Sequence, residues 1–389
     1  MSDLSCWLWL ASCKGLSAAR AQKYLHRFGS AKEIYYAPES ELRQVEGATA
    51  QELKALLNRD LSLADGIRSD CARLGIRILC LQDADYPERL RNIPDPPSVL
   101  YVQGTLPSVD DRLTIGVVGT RSASVYGREM AESLGKSLGE AGAVVVTGLA
   151  EGIDSAAAKG ALRGHGTVIA VLGTSTDKVY PTWNGKLQDA VAKTGALVSE
   201  YPPGTGPTKA AFPQRNRIIS GLSLGIAVVQ APEKSGSLIT AARAQEQGRD
   251  VFVVPGMAND RSFAGSHALI RDGAQLVCTG EDILEDYRFR YPRLLDFRRR
   301  KGNNGAAKGE HPNLDKPVDS GYHALKEQLA ELSELELELV GLLAGGDKHS
   351  DDLIAATGRE AGEVLTTLTM LQLKGYVQEE NRRYRLLVS

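Results

Sequence analysis

The chain has 389 residues, 42% of them hydrophobic and 24% charged, with a formal net charge of −2. Such a length suits two or three globular domains, and the near-neutral charge excludes a globally basic nucleic-acid-binding chain, so any polyanion site must be a local patch. Five scattered cysteines (Cys6, Cys13, Cys71, Cys80, Cys278) without C-x-x-C spacing predict a reducing compartment, with no disulfide framework and no zinc site.

No apolar run reaches the ~18 residues of a membrane span, and Asp3 stands where a signal peptide carries positive charge, so a cytoplasmic protein without membrane contact is expected. Residues 1–70 read as a domain of short helices: an apolar face of Leu4, Trp7, Leu8 and Leu10, then 17–28, 31–36, 39–44 and 49–57, broken by Gly29, Pro38 and Gly47. The stretch VEGATAQELKALL has the pattern of a helix-hairpin-helix or sterile-alpha-motif module. Loop amides of such hairpins hold a DNA backbone or serve protein contacts, and both readings stay open. Residues 71–111 follow as a lead-in strand at 76–81 and a Pro-rich connection, expected outside any central strand.

The core, 112–290, alternates strand and helix. Strands are predicted at 113–118, 143–147, 167–172, 196–199, 224–230, 250–254 and 275–277, with helices at 126–141, 153–163, 184–193, 214–222 and 238–247 between them. Continuous apolar strands in that alternation predict an α/β fold, a parallel sheet covered on both faces, whose ligands bind at the carboxyl ends of the strands.

The segment LTIGVVGTRSASVYGR (113–128) is a buried strand, a tight turn at Gly119, Thr120 and Arg121, and a helix start. Free amides at a helix N-terminus favour an anion, and a guanidinium fork suits phosphate. A dinucleotide site needs G-x-G-x-x-G and an acid about 20 residues on; here the glycines are Gly116 and Gly119, and the next strand ends in Thr147-Gly148 without a carboxylate. No cofactor is therefore expected. Ser235, Gly236 and Ser237 form a second anion seat at a helix start. With Arg121, Lys178, Lys209, Arg215, Arg217 and Lys234 on loops at one sheet edge, and Phe212 and several tyrosines among them, the rim is both basic and aromatic. Each residue alone is an ordinary solvated loop residue; together they supply the charge and the π-faces that single-stranded nucleic acid requires. Catalysis has thin support. His165 and His267, the core's histidines, have no nucleophile or metal-ligand partner in sequence, and Asp177 and Glu200 suit caps or ion pairs better than chemistry.

Residues 291–322, opening on a run of arginines, read as a basic, flexible linker. Residues 323–389 read as a winged helix: Leu332, Leu335, Leu339 and Leu342 on a first helix, then helices at 349–357 and 360–374 and a hairpin over 379–383. Its third helix shows Glu360, Glu363, Thr366, Thr367 and Gln372, too acidic or neutral for a major-groove reader, so a protein contact or weak DNA contact is expected.

The blocks GVVGTR (116–121), TGLAEGID (147–154), TVIAVLGTSTDKVYP (167–181), SEYPPG (199–204), FPQRNRIISGLS (212–223), SGSLITAARA (235–244), VPG (254–256) and GSHALIRDGA (265–274) resemble the DprA/Smf proteins in order and spacing. The resemblance covers about 85–290 and implies an extended Rossmann-like core that binds single-stranded DNA during natural transformation, a homodimer, loading of the RecA recombinase, and no enzymatic turnover. By the same resemblance Arg121 clamps a phosphate beside Gly119 and Thr120, Lys209 and Phe212 pair a phosphate contact with a stacking ring, and Arg215 and Arg217 shape that pocket. The chain departs from the family pattern at Glu151, Ala158 and Ser175, and Glu151 subtracts positive charge from the rim. The alternative is a nucleotide-processing enzyme cleaving the base–ribose bond of nucleoside monophosphates; its P-G-G-x-G-T-x-x-E block is replaced here by SGSLITAARA, with no acid before Glu246.

Overall fold

The computed structural model describes residues 2–290, 334–343, 348–373, 377–380 and 383–386; the expected linker and Leu332 lie outside the described residues. The chain divides into two compact units, Met1–Gly305 and Ala306–Ser389.

The first unit begins with helices α1 (Asp3–Ser12), α2 (Ala18–Phe28), α3 (Ala31–Tyr36), α4 (Glu39–Leu42), α5 (Ala50–Leu57) and α6 (Ser62–Leu74), and a single turn, α7 (Glu88–Arg91), follows in the connection. Ser2, Ser17 and Ser30 each cap a helix N-terminus, and Thr49 and Glu52 close a capping box on α5. Across the two hairpins, Arg20 grips the buried Glu52 carboxylate with two donors, Nε to Oε1 at 2.7 Å and Nη2 to Oε2 at 2.9 Å. The helical core of Trp7, Trp9, Tyr24, Ile34, Leu42 and Leu56 runs on into Cys80, Val99 and Tyr101 of the sheet, so helices and sheet share one apolar interior.

The sheet has nine strands: β1 (Arg77–Cys80), β2 (Val99–Gly104), β3 (Thr114–Val118), β4 (Val144–Thr147), β5 (Thr167–Leu172), β6 (Ala196–Ser199), β7 (Gly225–Val228), β8 (Asp250–Val253) and β9 (Gln275–Leu276). Their order is β1-β2-β6-β5-β4-β3-β7-β8-β9, parallel from β6 to β9. The strands of the 112–290 core, β3 to β9, are parallel as expected; what the sequence reading did not place is β2, which runs antiparallel to both β1 and β6. It lies inside the connection expected to avoid the sheet interior. Pro94, Pro96 and Pro97 all precede β2, whose Val99, Leu100, Tyr101 and Val102 are buried with backbone N–H groups free to join the ladder.

Each face of the sheet carries its own apolar layer. On one, Ile115, Val117, Val145 and Phe252 meet α8 (Val125–Glu140) and α9 (Ile153–Arg163); on the other, Val118, Val146, Ile226 and Val228 meet α11 (Ala211–Leu222) and α12 (Gly236–Glu246). α10 (Gly185–Thr194), α13 (Ala264–Arg271) and α14 (Gly280–Arg290) complete the layers. Strand order reverses between β3 and β7, and a sheet of this kind opens a crevice beyond the carboxyl ends of the strands at such a reversal.

The second unit packs helices Glu334–Leu343, Ser350–Thr357 and Ala361–Leu373 on a three-stranded antiparallel sheet of Lys348–His349, Arg383–Leu386 and Val377–Glu380, in that order. Leu339, Leu353, Val364, Leu368 and Leu371 form its core, as a winged helix requires. The short first strand was not legible in sequence. On the third helix Glu363, Thr366 and Gln372 are exposed, beside Leu365 and Met370. Among the described residues no helix is long and apolar enough to cross a membrane.

Candidate nucleic-acid interface

The β3–α8 turn sits at the strand reversal, where the Thr120 amide donates to the Gln230 carbonyl beyond β7 at 2.8 Å. Two amides of the α8 start are already satisfied within the chain: Gln230 Oε1 accepts from Ser124 N at 2.9 Å, and Ser124 Oγ accepts from Gly127 N at 3.0 Å. Positive charge at this corner therefore rests chiefly on the exposed Arg121. Glycine sets how closely the neighbouring β4–α9 turn approaches. Gly152 has φ +82°, and a Cβ there would lie 2.4 Å from the carbonyl oxygens of Thr120 and Arg121.

Behind the turn two ionisable side chains, Asp154 and Arg215, are buried. Asp154 accepts from the Gly148 amide at 3.1 Å, and burial pushes its carboxyl above the usual range against the opposing pull of Arg215 and backbone donors. Burial likewise lowers the Arg215 guanidinium to about 10, with Asp154 opposing, so Arg215 stays charged near neutrality. Arg215 donates from Nη1 to the Val171 carbonyl, while its Nε finds no hydrogen-bond partner among the described residues.

Phe212 enters from the first turn of α11. Its ring packs on Gly173, where a Cβ would come within 2.8 Å of Cδ1, and lies 5.3 Å from the Tyr180 ring, centroid to centroid. Arg121 Cζ stands 4.9 Å from the same ring's centroid. At the start of α12, Ser235 Oγ accepts from Ser237 N at 3.3 Å and pairs with Ser237 Oγ at 2.7 Å.

These elements enclose a cleft of about 590 Å³, into which Gly119, Thr120, Arg121, Lys209, Phe212, Arg215, Ser235, Gly236 and Ser237 all converge, joined by Lys234. Two expected residues stand elsewhere. Arg217, two positions past Arg215 on α11, does not line the cleft. Its guanidinium is buried, 2.8 Å from Glu200 Oε1 and 3.2 Å from Asp95 Oδ2, and it locks α11 to the Pro-rich connection. A two-residue step turns a helix by about 200°, which sends neighbouring arginines to opposite sides. Lys178 also lies outside the lining, exposed and 3.8 Å from Asp177 Oδ2.

Of the departures from the family pattern, Ala158 is buried in α9 and Ser175 donates to the Thr205 carbonyl at 3.0 Å, both away from the cleft lining, whereas Glu151 is exposed and faces a recess beside Arg121 and Phe212. Sequence reasoning had not singled out Tyr180, Asp154 or Asn216, which line the cleft too; Tyr180 was the detectable one, as an aromatic in a polar post-strand loop. Asp154 is the acid lining this cleft, facing Arg121, Lys209, Lys234 and Arg215. The concavity is thus cationic on a chain whose net charge is −2. His165 sits in a turn with φ +54°, and the His267 ring contacts the Gly256 carbonyl at 3.1 Å. No group of three or more His, Cys, Asp or Glu side chains among the described residues is placed to hold a metal ion.

The chain matches the family model described as DNA recombination-mediator protein A over residues 77–288, and that of the DprA winged helix domain over 323–380. It is 44% identical over 212 residues to the DNA processing protein DprA of Bacillus subtilis, covering 54% of this chain and 71% of that one. The X-ray structure of DNA processing protein A from Streptococcus pneumoniae superposes with a TM-score of 0.65 at 34% identity, covering 72% of this chain and 97% of that one. A structure of DNA processing protein A from Helicobacter pylori, described for its single-stranded DNA binding mode, matches with a TM-score of 0.50 at 31% identity, over 55% of this chain and 97% of that one.

Proposed function

Because the chain belongs to the DprA/Smf family of DNA recombination mediators, we propose that its core cleft binds single-stranded DNA. One observation carries this: Arg121 after β3, Lys209 and Phe212 after β6, and Lys234 after β7 converge on a single cleft at the strand reversal. Cations along a groove neutralise phosphates, and a ring among them offers a base a stacking face. Within the same proposal the protein shields incoming DNA during natural transformation, works as a homodimer and loads RecA onto the bound strand. Turnover forms no part of it. Asp154, the acid in the cleft lining, is buried and held by a backbone amide rather than poised toward a substrate.

The test is the salt dependence of binding to a fluorescent poly-dT oligonucleotide. Arg121→Ala and Lys209→Glu weaken binding, and each phosphate no longer neutralised flattens the log–log salt slope by about 0.7. Parent-like affinity and slope in both variants would place the DNA elsewhere. Release of free base from nucleoside monophosphates by the pure protein would favour the enzyme alternative.

A further inference from the structure

Of the chain's three tryptophans, Trp7 and Trp9 are 3% and 4% exposed, while Trp183 is 68% exposed. It stands on a short 3-10 turn, Thr182–Asn184, held from beneath by Asn184, whose Nδ2 donates to the Leu149 carbonyl at 3.0 Å and to Ser155 Oγ at 2.8 Å. A pinned backbone thus presents a large apolar ring to solvent, a placement that folding alone does not reward.

The ring's neighbours indicate what it is for. Trp183 shares a small recess with Arg121, Tyr180 and Phe212, the aromatic end of the DNA cleft. On its other side it borders a second groove of about 440 Å³ that holds Arg128 and Lys159. The Phe212 ring is half-buried among Gly173, Tyr180 and Arg121, whereas Trp183 is open. The charge of the second groove is mixed. Lys159 makes no ion pair among the described residues, but Glu129 and Glu151 face the same space, and Glu132 there is paired with Arg163. This groove is too balanced to hold phosphate by charge, so what Trp183 offers a strand is its face.

We propose that Trp183 is a second base-stacking subsite, continuing the path of a single strand out of the cationic cleft through the row Phe212, Tyr180, Trp183. The proposal rests on the single-stranded DNA assignment of the cleft and adds a subsite that reads no sequence, since every base has a π-face.

The experiment uses the full chain, oligo-dT from about 4 to about 20 nucleotides, and the variants Trp183→Ala and Trp183→Phe. Oligo-dT quenches the emission of the parent's exposed indole. Trp183→Ala lowers affinity for the longer oligonucleotides by roughly 5- to 150-fold, spares the shortest, and leaves the salt slope unchanged, because stacking releases no counterions. Trp183→Phe recovers most of that affinity. Parent-like binding by Trp183→Ala at every length, or an emission unmoved by saturating dT, overturns the subsite while leaving the cleft intact. A changed sedimentation coefficient for Trp183→Ala without a length-dependent loss also overturns it, making Trp183 a protein contact. Failure of the cleft itself reads out separately, in Arg121→Ala and Lys209→Glu.

Discussion

The guanidinium carbon of Arg121 lies 4.9 Å from the centroid of the Phe212 ring, although 91 positions of chain separate the two residues. Arg121 comes from the turn after β3 and Phe212 from the first turn of α11. Gly152 lets the β4–α9 turn pack against the carbonyl of Arg121, and Gly173 gives the ring of Phe212 a floor. The ring in turn holds the planar cation at the cleft by its face, and in the proposed DNA complex the cation's edge is what meets a phosphate.

That dual use separates charge from shape. Arg121→Lys keeps the positive charge and loses the planar face, so the salt slope of poly-dT binding stays near that of the parent while affinity falls by roughly fivefold or more. Anisotropy titrations at four or five salt concentrations read both quantities. A slope as flat as that of Arg121→Ala would show that the ammonium misses the phosphate.

Arg217 serves the fold. Its side chain is 5% exposed and its partners Asp95 and Glu200 are 26% and 23% exposed. Arg217→Ala strands two carboxylates and unties α11 from the Pro-rich connection. Loss of one partner from a buried pair costs about 3–5 kcal/mol, and the partial exposure of both acids brings the expectation here down to about 2–3 kcal/mol. Chemical denaturation measures it, and the folded fraction of the variant binds oligo-dT with the parent's affinity. Weakened binding by fully folded Arg217→Ala would return this residue to the interface.

Acid weakens the helical region through Glu52. Hydrogen bonds from Arg20 hold its carboxyl below the ordinary glutamate value, outweighing burial. A depressed folded pKa means that the stabilisation is complete above the unfolded value of about 4.3 and drains away as pH falls through the folded one. Between about pH 5 and pH 3 the parent therefore loses stability that Glu52→Gln never had, and the variant shows a lower midpoint at pH 7 with a flatter acid slope. Denaturation midpoints followed by Trp7 and Trp9 emission, in a Trp183→Phe background, report on this region directly. Parallel pH profiles for the two proteins would remove Glu52 from the account.

The helical start, the strand–helix alternation and the three-helix winged unit were legible in sequence because each is written in local terms: serine caps, apolar runs, Gly breaks. Helices at 31–36 and 153–163 emerge with their expected bounds as Ala31–Tyr36 and Ile153–Arg163. The antiparallel β2 was hidden, since prolines just upstream mask a strand whose inner partner, β6, lies far on in the chain.

The amino-acid sequence by itself determined the inventory: a parallel α/β core, anion-friendly turns at Gly119–Arg121 and Ser235–Ser237, and basic and aromatic residues in the loops after its strands. Only the tertiary structure decided which of them meet. Arg215 and Arg217 are chemically alike and two residues apart, yet one backs the cleft against Asp154 and the other is buried on Asp95 and Glu200. Sequence records the charge a residue carries, but the direction in which a helix aims that charge, and the partner it meets, are set by how the helix packs on its sheet.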